Sequence, residues 1–127
     1  MDVLIIEPLD ADVLHWLSER HAVQLVPELA QDPQSFKRAL GRARAIVIPP
    51  SVALDAATLS RAPQLRIVGR LSVGAENIDL EACSRAGIEV VRPTSASAVA
   101  EAEFVVGALL QMLRRVPITV CASGWSP

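Results

Sequence analysis

The chain has 127 residues, a hydrophobic fraction of 51% and a charged fraction of 20%, enough apolar material for one packed domain and too much for a disordered chain. Its formal net charge is −2, its basic residues are scattered and only 3% of it is aromatic, so no phosphate-tracking face or base-stacking platform is expected and nucleic acid is set aside as a partner. No apolar run approaches the roughly 18 residues of a membrane span, and Asp2 followed by the short run 3–6 is no secretory leader, so no membrane partner and a cytoplasmic location are expected.

Val3-Leu4-Ile5-Ile6 reads as a buried strand, stopped by Glu7-Pro8-Leu9-Asp10. Asp10 is placed to cap a helix over about 11–20, with Val13, Leu14 and Leu17 as its apolar stripe. A second short strand follows at 22–26. Asp32 then serves as an N-cap with Pro33 at the first helical position, opening a helix to Leu40 that Gly41 closes. Ala45 to Ile48 is the third strand, ended by Pro49-Pro50, and 54–61 is a short helix stopping before Pro63. Leu65 to Gly69 is the fourth strand. Asp79 opens a helix to Arg85, closed by Gly87 in the left-handed region, and Ile88 to Val91 is the fifth strand.

Each strand is a continuous apolar run rather than an in–out alternation, and each is separated from the next by a helix or a helix-length segment. That pattern predicts an α/β fold: a five-stranded, doubly wound parallel sheet of flavodoxin-like type. The tail differs. From Ser97 to Arg115, Val99, Phe104, Val105, Ala108, Leu109, Met112 and Leu113 recur at helical spacing, with Glu101 and Glu103 early and Arg114 and Arg115 late, as the helix dipole favours. This long helix carries more apolar surface than one side of a small sheet would cover. It is expected to face another domain or a second chain.

The fourth strand runs into the turn Arg70-Leu71-Ser72-Val73-Gly74, where unpaired backbone N–H groups suit a small anion. Read from the residues alone, the same turn is first a plain strand-to-helix connection with Gly74 supplying a positive φ, and only second an anion cradle. Arg70 is either a surface charge or a cation beside that cradle. Asn77 reads as a turn residue and Asp79 as an N-cap. His15 and His21 read as solvated, and Cys83 and Cys121 as free thiols. A response-regulator receiver is set aside because Glu7-Pro8 and Pro49-Pro50 end the strands that would carry its acidic residues, and a flavodoxin because Glu7-Pro8-Leu9-Asp10 is no phosphate loop.

The run Leu65-Arg66-Ile67-Val68-Gly69-Arg70-Leu71-Ser72-Val73-Gly74-Ala75-Glu76-Asn77-Ile78-Asp79 and the later run Ser95-Ala96-Ser97-Ala98-Val99-Ala100-Glu101, with Leu109 to Pro117 after it, resemble the D-isomer-specific 2-hydroxyacid dehydrogenases. The resemblance implies a substrate-binding lobe over 1–95, and over 96–127 an interdomain helix and the start of a nucleotide-binding domain. It implies that the amides of Val73 and Gly74 hold the substrate carboxylate, with Ser72 and Arg70 beside them. It makes Glu101 a support of the interdomain helix. Ser95 stands where the family commonly has Asn, near the junction, and is the one position given a cofactor contact.

For a full-length protein the resemblance implies NAD or NADP as cofactor, a small 2-hydroxy or 2-oxo acid as substrate, and a homodimer formed through the C-terminal helix or the nucleotide-binding domain. The six glycines present, Gly41, Gly69, Gly74, Gly87, Gly107 and Gly124, form no Gly-x-Gly-x-x-Gly pattern. The family's catalytic Arg, acidic residue and His have no counterpart either. The expectation is therefore a fragment of an oxidoreductase that binds substrate, contains no catalytic residue and holds no cofactor or metal by itself. The alternative is a stand-alone, non-catalytic small-anion-binding or interaction module.

Overall fold

The computed structural model describes residues 2–9, 11–71, 74–92, 107–109 and 111. In chain order it runs β1 (Val3–Ile5), α1 (Ala11–Ser18), β2 (Val23–Leu25), a 3₁₀ turn (Pro27–Gln31), α2 (Pro33–Leu40), β3 (Ala45–Val47), α3 (Ala56–Leu59), β4 (Ile67–Gly69), α4 (Leu80–Arg85) and β5 (Glu89–Val91). The strands form one five-stranded sheet in the order β2-β1-β3-β4-β5, and every pair is parallel. The order reverses between β1 and β3, the arrangement of a flavodoxin-like doubly wound sheet.

The pleat explains why the strands read as unbroken apolar runs: neighbouring side chains go to opposite faces, and both faces are covered. Leu4, Ile6, Ile46, Ile48 and Val68 go to one face and pack with Phe36, Ala39 and Leu40 of α2, Leu59 of α3, and Ala82 and Cys83 of α4. Val3, Ile5, Ala45, Val47 and Ile67 go to the other, against Leu17 of α1 and against Ala108 and Leu109. β2 is an edge strand of intermediate burial.

Local capping follows the side chains that suit it. Asp32 accepts from the Ser35 backbone N–H at 3.3 Å and from the Ser35 hydroxyl at 2.7 Å. Asp79 accepts from the Ala82 backbone N–H at 2.9 Å, and Gly87 ends α4 at φ 74°. The expected third helix is shorter than 54–61: Asp55 caps it, accepting from Thr58 N–H at 2.8 Å, and Leu54 instead forms a parallel bridge with Ile78. Reading His21 as solvated is corrected: its side chain is 12% exposed, with Nδ1 3.4 Å from Asp2 Oδ2. His15 is exposed as expected, paired with Glu19 one turn on.

Most of the expected helix over 97–115 lies outside the described residues, as do Asp10 and Cys121. Gly107–Leu109 and Gln111 are helical. Ala108 and Leu109 are buried in the core of this chain, so at these two positions the apolar face is covered by the chain's own sheet rather than by an external partner. Among the described residues no helix is long and apolar enough to cross a membrane.

Candidate functional site

β4 delivers Arg70 to the strand-end side of the sheet, where its backbone N–H donates to Val91 O at 3.0 Å. Of the two readings of Arg70, the surface charge is set aside: its side chain is 1% exposed. Nη1 donates to Asn77 Oδ1 at 2.8 Å and lies 3.2 Å from Glu76 Oε1. A guanidinium is buried only where acceptors meet its donors, and here they come from the loop that follows it.

Asn77 is more than the turn residue its sequence context suggested. Its Nδ2 donates to Pro49 O at 3.1 Å and to Val52 O at 2.6 Å. Around it, Leu54 N–H donates to Asn77 O at 2.8 Å and Asp79 N–H to Leu54 O at 2.9 Å. The loop after β4 is thereby stitched to the loop after β3. No local signal marks this role, because an Asn before an N-cap is ordinary turn chemistry.

Gly74 has φ 106°, a backbone position that L side chains rarely adopt, as its place in the turn predicted. A Cβ added there would collide with the Glu76 carboxylate and lie 3.6 Å from Arg70 Nη1. Gly74 and Arg70 are thus brought together. Ser72, Val73, Ser95 and Glu101 lie outside the described residues.

Two carboxyl groups bear on the Arg70 charge. Glu76 is held below its ordinary pKa, first by its own backbone N–H and then by the guanidinium. Glu7, just past β1, is pushed up by burial, against the opposing pull of the Leu71 N–H and the Arg70 charge. Its Oε2 is buried and, among the described residues, accepts no hydrogen bond. A carboxyl raised in the folded state contributes fully below its unfolded pKa, and that contribution is lost as pH rises through the folded value. Glu7→Gln is therefore expected to raise the melting temperature relative to the parent at pH 7 and to lose that advantage near pH 4, as thermal melts at the two pH values will read.

Among the described residues no cluster of three His, Cys, Asp or Glu could hold a metal ion, and Cys83 is a buried free thiol. A separate open depression of about 640 Å³ is lined by Gln34, Lys37, Arg38, Gly41 and Arg61. Its lining comes from α2, from Gly41 just after it and from Arg61 just after α3. Lys37 and Arg38 there sit in the last turn of α2, where cations answer the helix dipole.

Residues 3–123 match the family described as D-isomer specific 2-hydroxyacid dehydrogenase, catalytic domain. The chain is similar to D-3-phosphoglycerate dehydrogenase of Archaeoglobus fulgidus, 26% identical over 92% of this chain and 22% of that protein. It is also similar to (S)-sulfolactate dehydrogenase of Chromohalobacter salexigens, 35% identical over 90% of this chain and 37% of that protein. It therefore spans only 22% and 37% of the lengths of these two relatives. In fold it resembles D-lactate dehydrogenase of Aquifex aeolicus, solved with NAD and lactic acid, with a TM-score of 0.64, 22% identity, and coverage of 91% of this chain and 34% of that one.

Proposed function

This chain belongs to the D-isomer-specific 2-hydroxyacid dehydrogenase family through its catalytic domain, and on that footing we propose that it binds the carboxylate end of a small 2-hydroxy or 2-oxo acid in an oxidoreductase that interconverts the two. The observation that carries the reading is Gly74, in a left-handed backbone conformation, set against the buried Arg70 at the tip of β4. The amides of Val73 and Gly74 would hold the carboxylate, with Ser72 and Arg70 beside them. Fixed main-chain donors suit this task because they need no reorganisation when the charged ligand arrives.

The cofactor of the whole protein would be NAD or NADP, whose nicotinamide carries the hydride to or from the substrate carbon. The residues of this chain do not fit that group: the sequence contains no Gly-x-Gly-x-x-Gly loop to cradle dinucleotide phosphates, and Ser95 alone is assigned an edge contact with it. The chain is accordingly assigned binding and orientation, and hydride transfer falls to a nucleotide-binding region. The division at 95/96, a homodimeric whole protein and a cytoplasmic location are parts of the same proposal.

The test is a ¹⁵N NMR titration of this chain with glyoxylate and hydroxypyruvate, run beside an NADH-consumption assay. Saturable shifts centred on Gly74, with no turnover by the chain alone, are expected. Silence at Gly74 up to tens of millimolar acid would overturn the assignment. Shifts there without turnover in any longer form of the protein would favour the non-catalytic anion-binding module.

A further inference from the structure

We propose that the Glu76 carboxylate is a built-in competitor for the carboxylate of the bound acid, a specificity device folded into the site; the inference rests on the anion-binding role proposed for Gly74. Glu76 already uses the two kinds of donor an incoming carboxylate would need, a backbone N–H and the Arg70 guanidinium. It also occupies the right place, since a Cβ on Gly74 would run into its Oε2. An external carboxylate that pairs with Arg70 Nη1 beside Gly74 takes the position Glu76 now holds. The two cannot share it, because like charges at one cation repel.

The pair is built to be exchangeable. Glu76 is 68% exposed while Arg70 is 1% exposed, so the carboxylate can swing into water at small cost while the guanidinium stays in place. What keeps Arg70 there is Asn77, whose Oδ1 is nearer to Nη1, at 2.8 Å against 3.2 Å for Glu76. His15–Glu19 and Arg85–Glu81, by contrast, have both partners more than half exposed. A displaceable internal carboxylate raises the threshold for small carboxylates and leaves the site to acids that gain further contacts elsewhere.

The experiment is the same Gly74 titration with glyoxylate in Glu76→Gln, Glu76→Ala and Glu81→Gln chains. Glu76→Gln is expected to tighten binding about five-fold, the upper end of what a part-exposed ion pair is worth. Glu76→Ala, which removes the remaining carbonyl acceptor, should tighten it at least as much. Glu81→Gln deletes an equal charge on α4 and should leave affinity within about two-fold, since that carboxylate is exposed and paired with Arg85 rather than with Arg70. Binding by the parent with equal or weaker binding by both Glu76 variants would overturn the inference and leave the anion site standing. It would mean that Glu76 merely holds Arg70. No shift at Gly74 in any of the four chains would overturn the anion site, and the inference with it.

Discussion

Asn77→Ala is expected to destabilise the fold by about 3 kcal/mol, roughly 1 kcal/mol for each hydrogen bond lost by its side chain. Those bonds are the two from Nδ2, to Pro49 O and Val52 O, and the one that Oδ1 accepts from Arg70 Nη1. The truncation also strands the groups left behind: two carbonyls lose a donor, and a guanidinium that is 1% exposed loses an acceptor. Urea unfolding should show a lower midpoint at an unchanged slope, because the surface exposed on unfolding barely alters. Asn77→Asp sharpens the test. It keeps an acceptor for Arg70 but replaces the donor with a carboxylate facing two carbonyls, so it should be about as damaging as Ala at pH 7. It should recover part of the loss in acid, where the protonated carboxyl can donate to one carbonyl. A cost below about 1 kcal/mol for Asn77→Ala would mean that the two loops are held by their backbone bonds alone.

How much of this could be read from the chain depends on how local each signal is. Asp32 and Asp79 act as caps, and Gly74 and Gly87 take positive φ, because each answers to neighbours within a few residues. The five parallel strands were legible because a sheet covered on both faces leaves an apolar run wherever it passes. The burial of Arg70 was not legible. A strand-end Arg reads as a surface charge until Asn77 and Glu76 fold back over it, and Asn77 reads as a turn residue until Pro49 O and Val52 O arrive from another loop. The same limit hid His21, drawn in by Asp2, and the start of α3, where Leu54 is claimed by its bridge to Ile78. In the candidate site the sequence pointed to Gly74 and Arg70, while the residue that binds them to the rest of the domain carried no local mark.

Arg70→Ala is expected to cost about 2–3 kcal/mol, and the way that cost is shared will show what the guanidinium is for. Its charged hydrogen bond to Asn77 is of the class worth about 1.5–3 kcal/mol. Removing a fully buried long side chain adds a cavity, and release from desolvation offsets part of the loss. The ion pair with Glu76 adds less than about 1 kcal/mol, because that partner is largely exposed. Double-mutant cycles separate the contributions. Arg70→Ala with Asn77→Ala removes one shared bond twice, so the double variant should fall short of the summed losses by about 1–2 kcal/mol. Arg70→Ala with Glu76→Gln should be close to additive. That ranking has a functional consequence: strong coupling to Asn77 fixes the cation at the tip of β4, and weak coupling to Glu76 leaves its outward side open to exchange with a ligand carboxylate. If the Glu76 cycle showed the larger coupling, Arg70 would be locked to its own chain's acid, and neither role could be assigned to it.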